Sequence, residues 1–94
     1  MKAKIASEAQ TLEQIPNIGI AVAEDLRKLG IIHPKQLIGK DGLKLYHKLN
    51  RLTGVRHDPC LADTFMAVVD FMNGGKPRPW WEFTAKRKAL FLSY

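Results

Sequence analysis

The stretch that decides the fold is LEQIPNIGIAVAEDLRKLGI, residues 12–31. Pro16 cannot continue a helix, because it lacks an N–H group and clashes with the preceding turn. Asn17 and Gly19 follow it, and both residue types tolerate a left-handed backbone. After the turn, apolar residues recur at helical spacing, at Val22, Leu26 and Leu29. The stretch therefore predicts a one-turn helix, a tight turn and a second helix over about 20–29.

Outward from this stretch, helix-start signals divide the chain. Thr11 with Gln14 has capping-box spacing for the first turn, and Pro34 suits the first position of a short third helix. Asp41 is an N-cap for a fourth helix over 42–52. Asp58, followed by proline, begins a fifth helix that reaches about residue 73. The fourth helix has an apolar stripe, which we expect to be buried: Leu45, Leu49 and Leu52.

The remaining segments complete the predicted organisation. Residues 1–10 show no apolar period, and we expect them to be flexible. Residues 11–75 form the helical domain. Residues 76–94 are its C-terminal tail, extended at the prolines and helical from about 84. The chain has no sustained strand alternation, so the predicted class is all-α: a compact five-helix domain with an extended aromatic tail packed on it.

Composition narrows the functional classes. The chain has 94 residues, a formal net charge of +6 and one cysteine. The charge favours polyanionic partners. The single Cys60 gives no disulfide framework, which suits a cytoplasmic setting. No apolar run approaches the roughly 20 residues that cross a bilayer, and the polar start does not read as a signal peptide. We therefore predict a cytoplasmic protein without a membrane partner.

The hairpin suggests a phosphate site. A helix N-terminus leaves backbone N–H groups unpaired and carries partial positive charge, so it can bind a phosphate. Gly19 would let a phosphate approach without a side chain in the way. Such contacts read no base, so DNA binding would be sequence-nonspecific and salt-sensitive. The predicted contact residues at the hairpin are Asn17, Ile18, Gly19, Ile20 and Ala21.

Residues 12–29 resemble the helix-hairpin-helix motif. Its core is apolar-Pro-Gly-apolar-Gly followed by a helix with a small residue. Here IPNIG, residues 15–19, matches except that Asn17 replaces the first glycine, and Ala23 is the small residue. The resemblance implies a SAM-like fold and DNA binding. In that motif the hairpin carbonyls can also hold a monovalent cation; no other cofactor is implied.

The wider chain resembles a bacterial family of small helix-hairpin-helix proteins, the pathogenicity-locus proteins, some of which are labelled mitomycin-resistance proteins. The strings that carry the resemblance are IPNIGIAVAEDLRKLGI, LTGVRHDPC and FMNGGKPRPWW. The first hairpin is also similar to the C-terminal domain of TfoX-type competence regulators. The family resemblance implies DNA binding only through the motif.

Basic residues elsewhere extend the candidate site. Four of them share one face of the fourth helix, where they could grip a phosphate strand or form its solvated side: Lys44, His47, Lys48 and Arg51. The segment 52–56 could be a degenerate second hairpin, with Arg56 in place of Gly19 as a charged phosphate contact. Lys86, Arg87 and Lys88 are expected to form an exposed basic terminus.

Three alternative interpretations follow from other residues. The hairpin could be only a fold element of a protein-interaction or homo-oligomerisation module, whose partner would cover the apolar end at Leu90, Phe91, Leu92 and Tyr94. Trp80 and Trp81 could stack on unpaired bases, although fixing the tail on the core explains them better.

An enzyme is a further interpretation, because His57, Asp58 and Cys60 are residue types that act as base, orienting group and nucleophile. Asp58 serves as a cap and Cys60 suits a helix interior, so we predict neither catalysis nor a metal site.

Overall fold

The computed structural model describes residues 1–91, and all regular structure in them is helical. This confirms the all-α prediction. The four α-helices are α1 (Ile20–Lys28), α2 (Gly42–Thr53), α3 (Cys60–Met72) and α4 (Thr84–Phe91). Single 3-10 turns lie at Ala6–Glu8, Leu12–Gln14, Pro34–Leu37 and Trp80–Phe83. The first and third of the five predicted helices are among these turns, so the count of five is not confirmed. Within residues 1–91 no helix is both long and apolar enough to cross a membrane.

The helix starts predicted at Asp41 and Asp58 are stabilised by hydrogen bonds to their carboxylates. Asp41 Oδ1 accepts hydrogen bonds from the N–H groups of Leu43 at 2.9 Å and Lys44 at 3.1 Å, which fixes the start of α2. Asp58 Oδ1 accepts from the N–H of Cys60 at 2.8 Å at the start of α3. At the end of α2, Gly54 has the left-handed conformation that a helix C-terminus favours, with φ of 69°.

The core is built on the pairing of α2 with α3, and the hairpin closes one side of it. Tyr46 and Leu49 of α2, and Phe65 and Val68 of α3, are fully buried. The predicted α2 stripe is wrong at Leu52, which is 59% exposed. The last turn of α2 projects past the core, since neighbouring residues 51 and 54–56 are exposed as well. Leu43 and Tyr46 complete the buried face instead.

The tail is fixed on α3, as predicted. Trp80 and Phe83 pack against Met66 and Ala67 of α3. The predicted exposed basic terminus is wrong at Arg87, which is 9% exposed. Its guanidinium is hydrogen-bonded to the buried carboxylate of Asp63 on α3. Lys86 and Lys88 are exposed. Leu90 and Phe91 lie in α4, whereas the predicted apolar residues Leu92 and Tyr94 fall outside the described residues.

Candidate phosphate-binding hairpin and comparisons with known proteins

The hairpin consists of the Leu12–Gln14 turn, the bend through Pro16 and the start of α1. Asn17 has φ of 76°, so it takes the left-handed conformation expected of a glycine position. Ile15 and Ile18 are buried on either side of the bend. Across the turn Ala23 and Leu26 are also buried, which anchors α1 to the core. The turn is therefore held by apolar contacts on both sides and presents the first residues of α1.

The N-terminus of α1 differs from those of α2 and α3. Its N-cap residue is Gly19, and no side chain of residues 1–91 hydrogen-bonds to the cap. Gly19, Ile20 and Ala21 are exposed, Ile20 by 75% of its surface. The first N–H groups of a helix have no intrahelical acceptor. In α2 and α3 a carboxylate supplies an acceptor, whereas within residues 1–91 no side chain does so at the start of α1.

Gly19 and Ile18 differ in their availability to a ligand. A Cβ placed on Gly19 would meet no atom within 4 Å, so the fold itself does not require glycine there. The backbone of Gly19 is extended, with φ of −101° and ψ of −171°. The N–H of Ile18 already donates to the carbonyl of Ile15 at 3.2 Å. Its N–H is therefore used inside the turn, which narrows the predicted backbone donors to Gly19, Ile20 and Ala21.

The carbonyls of the hairpin accept hydrogen bonds from a side-chain cation of the same chain, the ammonium of Lys2. The Nζ of Lys2 donates to the carbonyl of Glu13 at 2.6 Å, to that of Ile15 at 3.1 Å and to that of Ile18. Three acceptors match the three N–H groups of an ammonium. Burial lowers the pKa of Lys2 and the nearby Glu13 opposes that shift. The N-terminal segment that we expected to be flexible thus places a positive charge at the residue before Gly19.

The side chain of Asn17 joins the hairpin to the tail. Its Nδ2 donates to the carbonyl of Arg78 at 2.7 Å, and its Oδ1 accepts from the N–H of Trp80 at 3.2 Å. Glycine could adopt the same backbone but could not make these bonds. The sequence analysis missed this role. The only local signal was an asparagine in a glycine position, and its partners lie more than 60 residues along the chain.

Acidic residues around the hairpin are engaged with basic ones. Glu13 accepts from Nη2 of Arg27 at 3.1 and 3.0 Å through its two carboxylate oxygens. That hydrogen bond holds the pKa of Glu13 below its ordinary value. Asp25 lies 3.6 Å from Nζ of Lys28. These pairs offset part of the negative charge near the turn, while Glu24 stays exposed on α1.

The predicted basic face of α2 is assembled in the structure. A surface depression of about 340 Å³ is lined by Lys44, His47, Lys48 and Arg51. The two lysines and Arg51 are exposed, whereas His47 is half-buried, with its ring centroid 5.7 Å from that of Phe91. The depression therefore places three exposed cations beside a half-buried imidazole, an arrangement that attracts anions.

The predicted second hairpin does not repeat the first. Gly54 ends α2, with its N–H donating to the carbonyl of Asn50 at 2.9 Å. The loop is tied back to α2, because the N–H of His57 donates to Oδ1 of Asn50 at 2.9 Å and the Tyr46 hydroxyl donates to the His57 carbonyl. Asp58 caps α3, so this loop presents no open helix N-terminus. Arg56 is exposed on it.

The three residues of the enzyme reading are used structurally. His57 is bound to Asn50 through both its backbone N–H and its ring Nδ1, the latter at 2.7 Å. Asp58 caps α3. Its hydrogen bond to Cys60, together with burial, raises the pKa of the Cys60 thiol. No group of three or more His, Cys, Asp or Glu within residues 1–91 is arranged to hold a metal ion.

Alkylation kinetics test the state of Cys60. Because the pKa of its thiol is raised, the folded protein has less thiolate at pH 7 than free cysteine, and thiolate is the reactive form. We expect iodoacetamide to modify Cys60 more slowly than free cysteine, with a rate profile displaced to higher pH. Asp58→Asn should move the profile back towards free cysteine. The urea-unfolded protein is the control, and a folded-state rate at pH 7 equal to or above that of free cysteine would contradict the assignment.

Comparisons with known proteins give the chain its place among relatives. The profile of the pathogenicity locus family, Cdd1, matches residues 5–89. A mitomycin resistance protein, McrB, from Streptomyces lavendulae is 39% identical over 85 residues, which are 90% of this chain and 81% of the relative. No solved structure gives a significant match. Both matches span the hairpin, α2, α3 and most of the tail. The chain therefore belongs to the pathogenicity locus family.

Proposed function

We propose that this protein binds DNA without sequence specificity, through phosphate contacts at the start of α1. The donors are the backbone N–H groups of Gly19, Ile20 and Ala21, beside the ammonium of Lys2. Lys44, Lys48 and Arg51 on α2, with Arg56, contribute further phosphate contacts. Residues 12–28 act as a helix-hairpin-helix element within a SAM-like domain.

The observation that carries the proposal is the open position of Gly19. A Cβ there would touch nothing, and the backbone angles are ones that any residue adopts. The fold therefore has room for a Cβ at position 19, where glycine is also a favourable N-cap residue. Glycine at this position leaves a clear approach to a helix start that has no side-chain cap. The N–H groups and the helix dipole there favour an anion. Lys2 adds a full positive charge next to it. The formal net charge of the whole chain, +6, favours a polyanion over a single phosphate group.

Gly19→Val tests this site. A Cβ at position 19 meets no atom within 4 Å, so the variant should fold, with a loss of about 1 kcal/mol because valine is a poorer N-cap residue than glycine. The added side chain would stand in the path of a phosphate. We expect the wild type to bind a 20-base-pair duplex at low salt. Its affinity should fall by roughly fortyfold between 50 and 200 mM salt if about three phosphates are neutralised. Gly19→Val should lose this binding, as measured by fluorescence anisotropy.

A matched control adds the same side chain elsewhere. Ala85 is exposed on α4, outside the hairpin, and Ala85→Val should bind DNA like the wild type. Equal affinity of Gly19→Val and the wild type would remove the hairpin from the site. Failure of the wild type to bind duplex or single-stranded DNA at low salt would overturn the proposed function.

The alternative is a protein-interaction or oligomerisation module that uses the hairpin only as a fold element. Exposed apolar side chains such as Ile20 and Ile32 would suit it. The described part of the apolar end supports it less, since Phe91 packs back on Tyr46 with ring centroids 6.1 Å apart. Light scattering separates the two functions, because the alternative predicts a concentration-dependent dimer or larger species without DNA.

A further inference from the structure

The two adjacent tryptophans have opposite environments. Trp80 is half-buried and packs against the cluster of Met66, Ala67 and Phe83. Trp81 is 62% exposed, although it is the largest side-chain type. Fixing the tail on the core, which explains Trp80, therefore leaves Trp81 unexplained. Tryptophan is among the residue types that are enriched at binding interfaces.

The side chain of Asn17 holds the backbone just before Trp81 at the hairpin. The amide of Asn17 binds the carbonyl of Arg78 and the N–H of Trp80. Trp81 follows directly, with its Cα about 3.8 Å from that of Trp80. Asn17 itself is two residues before Gly19. The residue that carries the exposed indole therefore follows directly on the segment that is bonded to the hairpin.

The segment that carries Trp81 is ordered and basic. It is KPRPWW, residues 76–81, which we call the strap. Its end forms a 3-10 turn, and the two indoles meet edge-on with ring centroids 5.7 Å apart. The guanidinium of Arg78 lies 5.0 Å from the Phe83 ring and 3.1 Å from Glu82, so its position is fixed while its charge stays exposed. Lys76 is exposed on the same strap.

An exposed aromatic ring on a basic segment has a specific chemistry. Aromatic side chains stack on unpaired bases, and nearby cations hold the backbone of the same strand. Stacked bases inside a duplex cannot present their faces in this way. Charge and ring together thus select a nucleic acid whose bases are partly unpaired.

We propose that Trp81 stacks on an unpaired base of DNA whose adjoining phosphate lies at the hairpin. The ligand class is DNA with unpaired bases next to a duplex, such as a single-stranded overhang or a gap, and it is preferred over continuous duplex. This inference rests on the proposed function, since it names the DNA structure that the same surface recognises.

The test compares a blunt 20-base-pair duplex with the same duplex carrying a six-thymine overhang, at one low salt concentration. The wild type should bind the overhang probe about five- to a hundredfold more tightly, which is the range of one stacked base. Trp81→Ala should bind both probes with the wild-type affinity for blunt duplex. Trp81→Phe, which keeps an aromatic face, should recover part of the preference. In a Trp80→Phe background the remaining indole should be quenched by the overhang probe.

The matched control is Ile32→Ala. It removes another exposed apolar side chain, 71% exposed, in the loop that follows the C-terminal end of α1. Gly19 lies at the other end of this helix, which is about 13 Å long. Ile32→Ala should leave both affinities unchanged. Equal binding of the two probes by the wild type, or a preference that survives in Trp81→Ala, overturns the inference and leaves duplex binding intact. No binding of either probe overturns the proposed function as well. A dimer that Trp81→Ala dissolves would assign the indole to a second copy of the chain and would also overturn the inference.

Discussion

Replacing Gly42 by alanine should destabilise the protein by about 3 kcal/mol in free energy of unfolding. Gly42 is the first residue of α2 and is buried against α3. A Cβ added there would lie 2.6 Å from the backbone nitrogen of Met66 and 2.7 Å from its Cα. It would also lie 2.7 Å from the carbonyl carbon of Phe65. These are backbone atoms inside a helix, so the clash cannot be relieved by rotating a side chain, and the two central helices must separate.

The sign of this effect is distinctive, because alanine is the better helix former by about 1 kcal/mol. On propensity alone Gly42→Ala would stabilise the protein. Urea denaturation followed by circular dichroism measures the difference, with Gly19→Ala as the matched control. Position 19 is open, but it is the N-cap of α1, where alanine is less favourable than glycine, so that variant should lose no more than about 1 kcal/mol. A Gly42→Ala protein as stable as Gly19→Ala would mean that α2 and α3 do not approach as closely as described.

Local chemistry made much of the fold predictable. Pro16, Asp41, Asp58 and Gly54 act through capping, turn geometry and ring closure, which operate over a few residues. The helices accordingly begin and end within one or two residues of their predicted bounds. The short turns at 12–14 and 34–37 were harder, because a 3-10 turn and one turn of α-helix carry the same sequence signals.

The contacts between distant segments could not be predicted in the same way. The hydrogen bonds of Asn17 to the strap and of Lys2 to the hairpin carbonyls join residues that carry no mutual pattern. Gly42 is one glycine among seven, and its close approach to Met66 depends on how two helices cross. In the candidate site, Gly19 and the basic face of α2 were predicted from motif and spacing, whereas the exposure of Trp81 followed only from packing.

A buried ion pair joins the tail to α3 and carries the second large effect. Asp63 is fully buried, and its Oδ1 accepts from Nε of Arg87 at 2.8 Å. Its Oδ2 accepts from the hydroxyl of Thr84 at 2.7 Å and lies 3.4 Å from Nη2 of Arg87. The hydrogen bond to Asp63 raises the pKa of Arg87, so the guanidinium stays charged. The sequence predicts a solvated basic run at Lys86, Arg87 and Lys88, because nothing in that segment indicates the distant carboxylate of Asp63.

Asp63→Leu alone should destabilise the protein by about 3–5 kcal/mol, because it leaves the Arg87 charge buried without its partner. Arg87→Met alone should cost a similar amount, because it strands the carboxylate. The double variant should recover most of the loss, since apolar residues of similar size can replace a buried pair at little cost. The two single losses therefore should not add, and the double-mutant cycle gives the coupling between the two side chains.

Glu82→Gln supplies the comparison for this cycle. Its exposed partner is Arg78 at 3.1 Å, with both side chains about half accessible, so solvent screens the pair. We expect a change within about 0.5 kcal/mol for that substitution. If Asp63→Leu were no more destabilising than Glu82→Gln, α4 would not be anchored on α3 in solution. The 3-10 turn Trp80–Phe83 and α4 follow directly on the strap, so loss of that anchor should also loosen Trp81. Single-tryptophan anisotropy in a Trp80→Phe background would report this change. The pair at Asp63 thereby connects the stability of the tail to the surface proposed for unpaired DNA.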